Sequence, residues 1–161
     1  MNATYEVQPA RGRGACGCRR WRGMHGVRMS GECDLETLLR NLAPVLRSER
    51  YVIGSVDSWP DPLPEGLLAT VQEPEGVTVI APVAEAKGLG LEPSTVFRCI
   101  RLDVHSSLEA VGLTAAVSTR LARHGISANL LAGAHHDHLL VLEDDAEYAL
   151  RVLVALSSEE G

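Results

Sequence analysis

Few places in this chain can host chemistry. The richest is the stretch Val104-His105-Ser106-Ser107-Leu108-Glu109-Ala110-Val111-Gly112. It brings an imidazole, two hydroxyls and a glycine to the point where an alternating apolar pattern gives way to helical spacing. Such a loop offers hydroxyls and unpaired backbone N–H groups at a helix entrance, a place that suits a carboxylate or another small anion. The candidate ligand-binding residues are therefore His105, Ser106, Ser107, Leu108, Val111 and Gly112. Asn129 and Ala132, on the strand expected after the next helix, complete the set. Gly112 would let backbone come close to a ligand. The structural alternative is that Ser106 or Ser107 only caps the turn.

A second concentration is His135-His136-Asp137-His138. Imidazole and carboxylate together suit zinc, nickel or copper, and His105, His136 and His138 are the weak metal candidates. Neighbours on a strand point to opposite faces, so only two or three of these groups can converge. A polar hairpin explains the run more simply. His124 falls at a helix C-terminus, where its charge is favourable without any further role. No catalytic triad, Walker loop or dinucleotide fingerprint appears in the sequence, so no enzyme activity and no cofactor are expected. Cys99 and His105 make no dyad, because six residues of strand span about 20 Å.

The elements that must position these residues follow from periodicity. Asp34 reads as a helix N-cap, with Leu35, Leu38, Leu39, Leu42 and Leu46 at helical spacing, so a helix is expected over 35–46, bent or ended at Pro44. Tyr51–Val56 reads as a strand, and 57–65, with prolines at 60, 62 and 64, as an irregular loop. Trp59 in that loop reads as a lid on a small core, with ligand stacking as the alternative. Leu67–Gln72 and Val77–Ala81 form a hairpin about Glu73-Pro74-Glu75-Gly76, and Val83–Leu89 is a short helix stopped by glycine.

In the second half Ile100, Leu102 and Val104 alternate with Arg101, Asp103 and His105, which marks a half-buried strand with Cys99 toward its polar face. A helix over 113–124, strands at 127–132 and 138–142, and a last helix from Ala146 complete the chain. Strand, helix, strand, strand, helix is an α+β, ferredoxin-like order: an antiparallel sheet with helices packed on one face. Its first and third strands are neighbours, which brings His105 and His138 to one end of the sheet. A fourth strand is missing after the last helix, and the first half must supply it or cover the edge in another way.

The whole composition narrows the function classes. The 161 residues are 45% hydrophobic and 22% charged, as in an ordinary globular chain, with no stretch apolar and long enough to span a membrane and no secretory signal. Residues 1–28 hold six arginines and one acid, while the other 133 residues hold nine basic and twenty acidic side chains. The folded part is thus strongly acidic, which disfavours nucleic acid as its partner. Residues 1–30 lack apolar periodicity and read as a disordered basic tail, or as sequence upstream of a true start at Met29. Cys16, Cys18, Cys33 and Cys99 form no disulfide or zinc pattern, which points to a reducing cytoplasm.

The run Phe97-Arg98-Cys99-Ile100-Arg101-Leu102-Asp103-Val104-His105-Ser106-Ser107-Leu108-Glu109-Ala110-Val111-Gly112-Leu113-Thr114-Ala115-Ala116-Val117 resembles the small bacterial ACT-domain proteins. Gly125-Ile126-Ser127-Ala128-Asn129, His135-His136-Asp137-His138 and the start Met29-Ser30-Gly31-Glu32 with Asp34-Leu35-Glu36-Thr37-Leu38-Leu39 extend the likeness. One departure is His135, where an aromatic residue is expected. The resemblance implies two tandem ACT-like modules, a divergent one over 31–92 and a second over 93–161. It also implies a non-catalytic regulatory protein that binds a small molecule, foremost an amino acid, and pairs as a homodimer. The alternatives are a homo-oligomeric interaction module without a ligand, and a metal-binding protein built on the His135–His138 cluster.

Overall fold

The computed structural model describes residues 31–159. The tail reading for 1–30, the candidate start at Met29 and Cys16 and Cys18 lie outside the described residues. Six strands form one antiparallel sheet in the order β2-β3-β1-β4-β6-β5. The strands are β1 (Pro44–Val56), β2 (Ala69–Glu73), β3 (Gly76–Pro82), β4 (Phe97–Leu102), β5 (Ala128–Ala132) and β6 (Asp137–Leu142). Four helices, α1 (Leu35–Arg40), α2 (Val83–Ala86), α3 (Leu113–Arg123) and α4 (Ala146–Glu159), accompany them.

The missing fourth strand is β1. It pairs with β4 on one side and with β3 on the other. Starting from β4, the sequence β4-α3-β5-β6-α4 closes on β1 to give the spatial order β1-β4-β6-β5. Starting from β1, the sequence β1-β2-β3-α2 closes on β4 to give β4-β1-β3-β2. Each ferredoxin-like unit therefore takes its fourth strand from the first strand of the other, and β1 and β4 belong to both.

The first helix is shorter than its leucine spacing predicts. Asp34 does cap it, accepting a hydrogen bond from the Thr37 N–H at 2.9 Å, but the helix stops at Arg40. Pro44 has no N–H and biases the residue before it toward extended backbone, so the chain turns into β1 instead. Leu42 is still buried, from the connection, and Leu46 packs against the same core from β1. β1 thus begins at Pro44, well before the expected Tyr51. A bulge hides its start from sequence patterning. Leu46 pairs with Ile100 and Arg50 with Arg98, which leaves Arg47–Glu49 opposite Cys99 alone. The Arg98 guanidinium secures the bulge by donating to the Arg47 carbonyl at 2.6 Å.

The main core lies between the sheet and α1, α3 and α4, where Leu38, Ile100, Leu102, Val117, Leu121, Leu139, Val141 and Leu153 are all but sealed from solvent. Val52, Val77, Val79 and Ala81 face the same way under α2. The opposite face of the sheet is not the polar surface expected around Cys99. Tyr51, Ile80, Cys99 and Leu140 form a second buried cluster there, flanked by Leu68, Phe97 and Leu131. Cys33 is disulfide-bonded, which corrects the reading that none of the cysteines pairs.

Sharing β1 makes the second unit dependent on the first. Residues 93–161 alone would leave the β4 edge unpaired and Leu46 absent from the core. This fragment is expected to show no cooperative thermal transition as a monomer, and to regain one when residues 31–92 are added in trans. Far-UV circular dichroism with sedimentation velocity checks this; a monomeric fragment with a sharp melt contradicts the shared-strand account.

Candidate functional site

β4 ends at Leu102, and the chain crosses to α3 through residues 103–112. This loop is tied down at its middle by the segment that precedes α1. The Glu32 N–H donates to the His105 carbonyl at 2.9 Å, and the Ser107 N–H donates to the Glu32 carbonyl at 2.9 Å. Gly31 allows this approach, since a Cβ there would lie 2.2 Å from the Ser107 nitrogen. Ser107 also closes the turn locally. Its hydroxyl accepts from the Glu109 N–H at 3.2 Å and its carbonyl from the Ala110 N–H at 2.9 Å. The capping role considered for the serines is thus present, and the Ser107 N–H is already engaged within the chain.

Gly112 is the N-cap of α3, with φ of +109° and no side-chain cap. That backbone conformation belongs to glycine. The space a Cβ would occupy is filled by Leu35 of α1, whose Cδ2 lies 2.8 Å from that position. The glycine serves the packing of α1 against the loop, which was not part of the sequence reading. Among the described residues no side chain caps the α3 N-terminus with a hydrogen bond, and beside it Leu108 is 60% exposed and Val111 82% exposed.

The β5–β6 hairpin reaches the same end of the sheet, as expected. The His105 and His135 rings stack at a centroid distance of 6.2 Å. Ala132 and Leu102 both pair with Asp137, so Ala132 lies in the row nearest the loop. Asn129 does not: it pairs with Leu140 in the row of Cys99, three residues, about 10 Å, further along the sheet. It also points to the opposite face from Ala132.

The histidine run is divided among different environments. His138 turns onto the open face of the sheet, where its Nδ1 lies 3.8 Å from the Cys99 sulfur. Burial pulls its pKa below the ordinary histidine value, with the Arg47 charge acting the same way. His136 Nδ1 is buried with no hydrogen-bond partner. Asp103 is held by a bidentate pair with Arg101, and that hydrogen bonding lowers its carboxyl pKa. Burial raises the Asp137 carboxyl instead. Among the described residues, no three His, Cys, Asp or Glu side chains are placed to share a metal ion. Cys99 is fully buried and burial pushes its thiol up, so it packs as an apolar group. His124 caps α3 and meets the Tyr148 hydroxyl at 2.8 Å, a contact unseen in sequence because it joins α3 to α4.

The expected lid is also elsewhere. Trp59 is 52% exposed and lines an open cavity of about 710 Å³ formed by the proline loop and α2.

Two measurements test this geometry. Gly112→Ala meets both the positive φ and Leu35, and should cost about 1–3 kcal/mol in urea unfolding; an unchanged midpoint would show that α1 yields freely. For His138 the folded pKa lies below the unfolded one, so the unfolded chain takes up the proton first. Its unfavourable term is absent at high pH and grows as pH falls through about 6.5. His138→Gln should therefore lose less stability than the parent between neutral and mildly acidic pH, as followed by thermal melts; equal losses would remove His138 as the cause.

Residues 30–98 match one ACT-domain family model and residues 94–155 match a second. Among solved structures, a protein of unknown function from Vibrio cholerae, described as a possible transport protein, is 45% identical. The match has a TM-score of 0.69 and covers 76% of this chain and 95% of that one. A protein from Agrobacterium tumefaciens is 16% identical, with a TM-score of 0.58 over 72% of this chain and 89% of that one. The aspartokinase alpha and beta subunits are 16% identical, with a TM-score of 0.53 over 71% of this chain and 97% of that one. These last two show likeness of fold alone. Comparison with curated proteins returns no match. Two adjoining domain matches, with 45% identity across nearly all of one solved relative, establish that the chain belongs to the ACT-domain family and carries two ACT domains in tandem.

Proposed function

We propose that the chain is a non-catalytic regulatory module that binds an amino acid at the β4–α3 loop and acts as a homodimer. The observation that carries this reading is an uncapped helix N-terminus beside two bare aliphatic side chains, Leu108 and Val111. The N–H groups of the first turn of α3 suit a carboxylate. Leu108 and Val111 offer apolar surface to the rest of the ligand. His105 and Ser106 form the rim, with Ser107 holding the turn and Gly112 fixing the direction of α3. Ala132 lies in the row beside the loop. Asn129, in the row of Cys99, lies away from this loop. On this reading the modules divide near residues 92 and 93, in the connection between α2 and β4.

Pairing is supported by two features. Among the described residues β2 and β5 are the edge strands of the sheet. The open face also carries Val45, Ile53, Val71 and Leu142 in exposed positions around its buried cluster. The same features favour the second reading, an assembly module with no ligand. Nucleic acid is disfavoured as a partner by the acidic charge of residues 29–161, and among the described residues no helix is long and apolar enough to cross a membrane.

A thermal-shift screen of the proteinogenic amino acids separates the two readings, because a ligand held only by the native state raises the melting temperature. At least one amino acid is expected to do so. Val111→Asp should leave the unliganded melt nearly unchanged, since the side chain is largely exposed, and should weaken that ligand about tenfold or more by placing a charge against apolar ligand surface. No shift with any amino acid would favour the assembly reading.

A further inference from the structure

The Trp59 cavity is independent of the β4–α3 loop. β1 ends at Val56, β4 ends at Leu102, and the two strands are antiparallel, so their following loops lie at opposite ends of the sheet. The 57–68 loop differs from its counterpart in leading to no helix. It passes directly to β2, so no helix N-terminus arrives there to receive an anion. Its walls are instead Trp59, Leu63, three prolines and the carboxylates Asp61, Glu65 and Glu85.

Two properties of this cavity point to one class of ligand. Its apolar wall is an aromatic face left half in solvent: Trp59 is 52% exposed and Leu63 59% exposed. Burying so large a ring is worth more than burying most side chains, and here the fold leaves that burial undone. The second property is charge. Three acids line the cavity while no lysine, arginine or histidine does, and none of the three enters a salt bridge or hydrogen bond among the described residues. Lys87 sits between lining residues on the α2 side yet is not part of the wall. An anion or a free α-carboxylate would meet only repulsion. A cation with a flat or aliphatic body gains both the indole face and the carboxylates. The volume, about 710 Å³, is within the usual range for a small-molecule site, and prolines at 60, 62 and 64 limit how much the loop must be ordered on binding.

We propose that the cavity formed by the 57–68 loop and α2 is a second binding site, specific for an organic cation that lacks a carboxylate, such as an alkylamine or alkylguanidine. Trp59 forms the aromatic wall, and Asp61, Glu65 and Glu85 supply the countercharge.

Agmatine serves as the probe. The sequence has two tryptophans, so Trp21→Phe leaves Trp59 as the single indole reporter in the full-length chain. Agmatine should change Trp59 emission saturably at or below about millimolar concentration. Arginine, which adds a carboxylate, and the uncharged 1,5-pentanediol should bind more weakly, and agmatine binding should weaken as salt is raised. Glu85→Gln should weaken agmatine several-fold and Trp59→Ala about tenfold, the latter followed by calorimetry. Both side chains lie at the surface of the cavity, and melting curves of the variants show whether they fold as the parent does. The proposal is overturned if agmatine gives no saturable response. It is also overturned if the diol or arginine binds as tightly, or if folded Trp59→Ala and Glu85→Gln chains bind agmatine as the parent does.

Discussion

The pairing of β1 with β4 is the contact on which the rest of the molecule depends. A ferredoxin-like unit needs four strands, and this chain builds two units from six. It can do so because β1 and β4 are antiparallel neighbours at the centre, each serving one unit as first strand and the other as fourth. The economy has a consequence for shape. Two antiparallel central strands send their outgoing loops to opposite ends of the sheet, so the β4–α3 loop and the proline loop are as far apart as the sheet allows. β1 must match β3 along one edge and β4 along the other, and the bulge at Arg47–Glu49 is where the β1–β4 register shifts. The Arg98 side chain, reaching across to the Arg47 carbonyl, ties that irregularity to β4 itself.

This sharing also explains which parts of the fold were legible in the sequence. In the second half α3 and β6 read close to their observed bounds because each has a single job: α3 shows Leu113, Val117 and Leu121 on one stripe, and β6 is a short apolar run ended by acids. β4, whose alternation continues to His105, instead ends at Leu102, where the chain turns and the Val104 N–H meets the Leu102 carbonyl. The start of β1 does not read correctly, because Leu42 and Leu46 continue the leucine spacing of α1 although one sits in a connection and the other on a strand. Both bury against the same core, so the periodicity reflects a shared destination and not a shared helix. Cys99 was placed on the correct face of β4, but the character of that face depends on Tyr51 and Ile80, which only strand order brings alongside. At the loop, strand adjacency brings His105 to the same end of the sheet as His138, but the ring it stacks on is His135, while His138 turns toward Cys99. The contacts made by Glu32 and Leu35 do not follow from strand adjacency, because they cross from a segment some seventy residues away with no pattern to announce them.

The face opposite the helices buries a cluster that none of α1–α4 covers. Tyr51, Ile80, Cys99 and Leu140 pack together there, with Leu68, Ala69, Phe97 and Leu131 against them. The exposed Val45, Ile53, Val71 and Leu142 continue that apolar surface outward. Apolar residues in such positions lower solubility unless another surface meets them, which is the physical ground for reading this face as one that pairs. The same burial governs the titratable groups set into it. It raises the Cys99 thiol and lowers His138, in both cases by disfavouring the charged form.

At the β4–α3 loop the chain has already used several groups that a ligand would otherwise take. Glu32 occupies the Ser107 N–H and the His105 carbonyl, and Leu35 occupies the space beside Gly112. What remains outward is the first turn of α3 and the side chains of Leu108 and Val111. A loop held by backbone bonds on its inner side and bare on its outer side is rigid where it meets the protein and open where it meets solvent. Rigid donors at a helix end can hold a carboxylate without reorganising, so the order built into the loop by Glu32 and Leu35 lowers the cost of binding there.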